Sequence, residues 1–142
     1  MSLREARPED APALAVLLAE LGYPNSVEPL RARLRAFAAD PSSFVLIAVE
    51  ADGVLGLASA SVLPLLHEDG SWCRLSALVV GEGSRRAGIG RKLVAEVEER
   101  ARAAGCRYLE VTSGERPERE AAHAFYEALG LEQVSRRYLK EL

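Results

Sequence analysis

The residues best suited to chemistry are Arg85-Arg86-Ala87-Gly88-Ile89-Gly90, which follow the apolar run Leu78, Val79, Val80 and open a long amphipathic stretch. A strand that ends in a basic, glycine-bearing turn and restarts as a helix aims unpaired backbone N–H groups and a helix dipole at one spot. Such a spot suits an anion. Gly88 and Gly90 let backbone and ligand approach with no Cβ between them, while Arg85, Arg86 and Arg91 bring fixed positive charge to phosphate oxygens. The ligand implied is a pyrophosphate.

The same spacing argues against two common nucleotide sites. Gly83 and Gly88 have the GxxxxG interval of a P-loop, but Ile89 and Gly90 stand where Lys and Ser/Thr must reach the phosphates and Mg²⁺. Gly88-x-Gly90 begins like a dinucleotide fingerprint, but Leu93 stands at its third glycine and the chain upstream does not start a βαβ unit. The segment does resemble the Arg-x-x-Gly-x-Gly signature with which acyl-coenzyme A transferases of the GNAT superfamily hold the coenzyme A pyrophosphate. Further along, Ala122-His123-Ala124-Phe125-Tyr126-Glu127-Ala128-Leu129-Gly130-Leu131 resembles that family's second signature, centred on Phe-Tyr-Glu. The likeness extends from the opening Leu3-Arg4-Glu5-Ala6-Arg7-Pro8 onward and leaves nothing for a second domain, so residues 1–142 are expected to form a single domain. It implies an α/β (α+β) acyl-CoA N-acyltransferase fold, a mixed central sheet of about six to seven strands flanked by about four helices.

The resemblance also assigns roles. It implies acetyl-CoA as cosubstrate and no metal, with Leu78, Val79 and Val80 offering backbone hydrogen bonds to the pantetheine arm and one N–H to an oxyanion. Arg85, Arg86, Ala87, Gly88, Ile89, Gly90 and Arg91 would hold the pyrophosphate. Arg119 stands where relatives often have an Asn that bonds the coenzyme, and is assigned to a phosphate instead. Tyr126 matches a tyrosine commonly placed near the coenzyme sulfur, where it protonates the departing thiolate. The implied reaction is direct transfer of an acetyl group to an amine through a tetrahedral oxyanion, with no side-chain nucleophile. A thiol of pKa about 8.5 and a tyrosine of about 10 are nearly matched for that proton transfer.

The proton acceptor is not named by the sequence. Many relatives carry a carboxylate in the strand before the pyrophosphate motif, whereas Ser76 and Ala77 stand here; Glu110, Glu68 and Asp69 are the candidates. An α-amine, with pKa near 8, could lose its proton through water. His123, one turn from Tyr126, reads as a helix-surface residue, and Cys73 and Cys106 read as small buried hydrophobes. By resemblance the acceptor binds at residues 21–27 and 63–69, where Tyr23, Asn25, Glu28, Glu68 and Asp69 could line an acidic mouth for a cationic amine. A polyamine, an aminoglycoside-like amine, an amino acid and a protein N-terminus all remain open, a small molecule being favoured. A coenzyme A-binding sensor without catalysis, a protein N-acetyltransferase and a bare anion-binding domain stand as alternatives.

Composition narrows the partners. A chain of 142 residues can bury roughly two thirds of its unfolded surface and needs no staple. A net charge of −3 argues against nucleic acid. The two cysteines form neither metal spacing nor a disulfide framework, and no signal-peptide core or membrane-length apolar run is present, so a cytoplasmic protein with no membrane partner is expected. A homodimer through a C-terminal strand carrying Val134, Tyr138 and Leu139 is a further expectation.

The elements that must position these residues follow from periodicity. Residues 3–6 predict a short strand, and Glu9-Asp10 start a helix with Leu14, Leu17, Leu18 and Leu21 on one face, stopped by Gly22. Pro29 fits the first turn of a second helix ended by Asp40-Pro41. Residues 44–50 and 54–63 predict strands joined through Asp52-Gly53, and residues 72–80 a third. Ile89, Leu93, Val94, Val97, Ala101 and Ala104 predict one face of the next helix, followed by a strand at 108–112 and a helix from 117 to 129 ended by Gly130.

Overall fold

Apolar and small residues alternate through much of the stretch from 43 to 80, and that period builds a sheet. In the computed structural model, which describes residues 1–51, 53–85, 87–112, 120–135 and 137–142, the strands are β1 (Ser2–Glu5), β2 (Ser43–Glu50), β3 (Gly53–Pro64), β4 (Ser71–Val80) and β5 (Cys106–Val111). They lie in the order β1-β2-β3-β4-β5, with β1 to β4 antiparallel. The helices are α1 (Ala11–Leu21), α2 (Val27–Ala39), α3 (Ile89–Ala103) and α4 (Glu120–Ala128).

Among the described residues five strands are found, where about six to seven were expected. Near the C-terminus, the described residues 131–135 and 137–142 carry no strand. A strand needs a partner ladder, and Val134, Tyr138 and Leu139 are largely exposed instead of packed on a sheet face.

The chain divides into two compact units, residues 1–110 and 111–142. In the first, cross-strand partners share a face, so the register sorts the core into two layers. Val45, Ile47, Leu57 and Val79 pack with Leu14, Leu17, Leu30 and Leu34 of α1 and α2. The opposite face presents Gly56, Ala58 and Ala60, small residues that let α3 lie close; a Cβ on Gly56 would meet Ile89 and Leu93 at 3.4 Å each. Ile89, Leu93, Val94, Val97 and Ala101 are buried as the periodicity predicts. Ala104, expected on that face, is exposed because the helix has ended there.

β4 changes faces part-way. Ala60 opposes Leu75 but Ser59 opposes Ala77, so Ser76 is an extra residue, a β-bulge. Leu75 therefore shares a face with Ala60, while Ala77 and Val79 join the α1/α2 layer. The clasp between the Ser59 and Ser76 hydroxyls, 2.8 Å apart, sits at this point, and Ser76 Oγ also donates to the Ser59 carbonyl at 3.2 Å.

β5 runs parallel to β4, because contacts advance together along both strands. A Cβ on Gly70 would lie 2.9 Å from Arg107, the Trp72 and Tyr108 rings stack edge-on at 5.3 Å, and Arg74 meets Glu110 at 2.9 Å. β5 ends one residue beyond Glu110, whereas β4 continues to Val80. Among the described residues, no strand accompanies positions 77–80 on that edge.

The second unit contains α4. Ala122, Phe125 and Leu129 are half-buried along one face. The helix closes as predicted at Gly130 (φ 87°), where Gly130 N–H donates to the Glu127 carbonyl and Leu131 N–H to the Tyr126 carbonyl, at 3.0 and 3.1 Å. The expected helix start at 117 lies outside the described residues.

Candidate active site

The structure brings Leu78, Val79, Val80, Arg85, Ala87, Gly88, Ile89, Gly90 and Arg91 together at the junction of β4 and α3. β4 delivers the chain through Gly81, whose N–H bonds the Leu55 carbonyl at 2.8 Å, into a single 3-10 turn at Glu82–Ser84. Buried Ile89 then fixes α3 against the sheet, next to Gly56. The exposed residues around it, Arg85, Ala87, Gly88 and Arg91, face solvent.

Gly88 is the pivot. It precedes the helix at φ 75° and ψ 11°, a left-handed conformation that side chains resist. Nothing lies within 4 Å of where its Cβ would be, so the glycine leaves open space at the helix entrance. With no side chain to cap them, the N–H groups of the first turn stay directed at that space; the earliest intrahelical bond runs from Lys92 N–H to the Gly88 carbonyl at 3.1 Å. Arg85 folds back so that Nε donates to the Val80 carbonyl at 3.3 Å. Among the described residues its terminal nitrogens have no protein acceptor. Helix dipole, open backbone donors and a guanidinium fork fit the doubly charged pyrophosphate of a coenzyme. Arg86 and Arg119, assigned to the same ligand from sequence, lie outside the described residues.

The family model of the Acetyltransferase (GNAT) family matches residues 7–131, which runs through both compact units. The chain belongs to the GNAT acetyltransferase family. This acetyltransferase is 34% identical to the Aminoglycoside N(6')-acetyltransferase type 1 of Stenotrophomonas maltophilia, across 95% of this chain and 88% of that protein. A putative acetyltransferase from Agrobacterium tumefaciens str. C58 superposes with a TM-score of 0.87 at 27% identity, covering all of both chains. An aminoglycoside N-acetyltransferase solved in complex with CoA shares the fold, with a TM-score of 0.84 at 19% identity over 99% of this chain and 93% of its own.

Tyr126 stands in the second unit on α4, half-buried, with its ring edge-on to Phe125 at 5.7 Å between centroids. The carboxylates proposed as bases are differently placed. Glu110 is ion-paired to Arg74 at 2.9 Å and Glu68 to Arg107 at 3.7 Å, whereas Asp69 is exposed in the turn before β4 with no ion pair among the described residues. Much of the expected acidic mouth is likewise engaged, since Glu28 pairs with Arg31 at 3.4 Å and Asn25 accepts from Arg33 and donates to the Tyr23 carbonyl. The Cys73 thiol is buried and pushed up to about 11 by desolvation and then by Cys106, so it is no nucleophile at neutral pH.

Sequence reasoning missed the bulge at Ser76 and the Arg74–Glu110 pair beside it. The one available signal was the break in β4's alternation. Arg74 and Ser76 alternate with buried Cys73 and Leu75, after which Ala77, Leu78, Val79 and Val80 are all apolar.

Proposed function

We propose that this GNAT acetyltransferase moves an acetyl group from acetyl-CoA to the primary amine of a small molecule, acting as one domain over residues 1–142. The reading rests chiefly on one observation: a glycine-opened helix N-terminus at Gly88 adjoins a stretch of β4, positions 77–80, that no described strand accompanies. The helix terminus, Arg85 and Arg91 bind the pyrophosphate, with Arg86 and Arg119 as further phosphate ligands. The edge at Leu78, Val79 and Val80, unaccompanied among the described residues, hydrogen-bonds the pantetheine arm as an extra strand would. One of its N–H groups steadies the oxyanion that forms when the amine attacks the thioester carbonyl, a fixed dipole that costs no reorganisation. The proton shed by the attacking amine passes to solvent water, the carbon–sulfur bond then breaks, and Tyr126 supplies the proton to the leaving thiolate. The curated relative's name specifies an amino-sugar acceptor, which supports a small-molecule amine as the acceptor class here.

The test is steady-state thiol release with Tyr126→Phe. Loss of a general acid is expected to lower kcat by roughly 10²- to 10⁴-fold while the KM for acetyl-CoA stays near wild type. Wild-type turnover in the variant would remove Tyr126 from the mechanism.

A further inference from the structure

Resting on the proposed coenzyme site, the β4 edge also fixes where an acceptor must approach. An arm that leaves the pyrophosphate at Gly88 and follows β4 back from Val80 runs along the open edge only as far as β5 allows. β5 occupies that edge at the Arg74–Glu110 pair, and the bulge at Ser76 lies immediately before it. The reactive end of the arm therefore stops beside Ser76.

What the protein presents at this stop can be read from the register. Ser61 opposes Arg74 and Ser59 opposes Ala77, so Ser59, Ser61, Arg74 and Glu110 form a polar strip on the sheet face that carries Leu57 and Val79 further along. Arg74 dominates it. Glu110 holds the guanidinium by Nε alone, and the Arg74 side chain is 48% exposed against 25% for Glu110. Among the described residues, no acceptor meets the terminal nitrogens of Arg74. A side-on carboxylate thus orients a guanidinium whose outer fork is directed away from its holder, the geometry that receives a second carboxylate with two parallel bonds. Of the carboxylates at this end of β4 and β5, Glu110 and Glu68 are already in ion pairs, and Asp69 lies exposed in the turn before β4, away from Arg74's outer fork at the β4–β5 pairing.

We infer that the acceptor carries a carboxylate close to its amine, an α-amino acid or similar small amino carboxylate, and that Arg74 receives that carboxylate as the specificity-determining residue. The exposed Ser76 hydroxyl, clasped to Ser59, is then placed to accept from the amine.

The experiment uses matched acceptors that share an amine and differ in the carboxylate: phenylalanine, phenylalanine amide and phenethylamine, then lysine, lysine amide and cadaverine. Thiol release from acetyl-CoA is measured for each, and equilibrium binding of each to the CoA-loaded protein is measured by calorimetry. At least one carboxylate is expected to exceed its amide and amine in kcat/KM by roughly ten- to a hundredfold. Arg74→Gln abolishes that preference, chiefly through KM, and Arg74→Lys restores part of it. Equal values within each set, a preference for phenethylamine or cadaverine, or an unchanged preference in Arg74→Gln would overturn the inference. If no acceptor turns over, calorimetry separates the two readings: carboxylate-selective binding lost in Arg74→Gln keeps Arg74 and removes the proposed transfer, whereas absence of such binding removes Arg74.

Discussion

Gly56→Ala perturbs the junction on which the coenzyme site is built. An added Cβ would stand 2.8 Å from the Val79 carbonyl oxygen and 3.4 Å from both Ile89 Cγ2 and Leu93 Cδ1. A carbon–oxygen contact of this kind settles near 3.3–3.6 Å, so about half an ångström must be found, and the atom in the way is backbone. Overpacking of that sort costs roughly 1–3 kcal/mol. Against it works the lower unfolded-state entropy of alanine, worth roughly 0.4–1 kcal/mol. The steric effect wins, leaving a net loss of about 1–2 kcal/mol, or a Tm lower by roughly 3–7 °C for a chain of this size. The displaced elements are β4 at Val79 and α3 at Ile89, so CoA affinity should fall in parallel. Differential scanning calorimetry with and without CoA reads both effects. Gly83→Ala is the control, since nothing lies within 4 Å of its Cβ position, and it should melt within about 0.5 kcal/mol of wild type. A Gly56→Ala protein that melts at or above wild type and binds CoA normally would refute the packing argument.

Gly88→Ala should separate strain from binding: the left-handed backbone costs about 1–2 kcal/mol, with no clash inside the protein, while CoA titration shows a loss of affinity well beyond that of Gly83→Ala. Asp10 accepts two bonds from Arg4 at 2.8 and 2.9 Å and one from the Arg7 N–H at 2.7 Å, and the Arg4 bond holds its carboxyl below the usual range. A lowered folded-state pKa means stability that is present above the ordinary carboxylate pKa and lost as pH falls through the folded value. Asp10→Asn should therefore cost about 1–2 kcal/mol in urea denaturation at pH 7, a difference that shrinks below about pH 4. Native Cys73, buried with its thiol pushed up to about 11, should resist iodoacetamide at pH 8 and react only on unfolding, with half-buried Cys106 labelled first; peptide mass spectrometry reads the order. Prompt labelling of Cys73 would contradict its burial.

The helical faces of α1 and α3 and the strands from β2 to β5 were legible because their periods are local: Leu14 and Leu17, or Leu93, Val94 and Val97, repeat within a few turns. Boundaries moved by a residue or two, as where Ala104 fell outside α3. The Gly88-x-Gly90 turn was legible for a related reason, since a backbone that must leave a strand and enter a helix with φ above zero demands glycine at a fixed place. The bulge was not, because one extra residue in β4 shows only once Ser59 is set opposite Ala77. The Arg74–Glu110 pair was invisible on the same ground, its members being 36 residues apart and joined only by the β4–β5 pairing. Glu110 was read as a possible base because a carboxylate's partner cannot be seen in sequence. Within a single copy, the described residues near the C-terminus form no strand, and Val134, Tyr138 and Leu139 supply apolar area with no ladder of this chain beside them.

The central claim, that this GNAT acetyltransferase joins an acetyl group from acetyl-CoA to an amine, is tested most directly by counting both products of one reaction. Free thiol and N-acetylated acceptor are quantified together by mass spectrometry, for wild type and Tyr126→Phe, across the matched amines and an amino sugar. The account predicts acceptor-dependent release in equal amounts of thiol and acetylated amine, slowed by roughly 10²-fold or more in the variant. Tight CoA binding with no acceptor-dependent release, or thiol release without an acetylated amine, would contradict it.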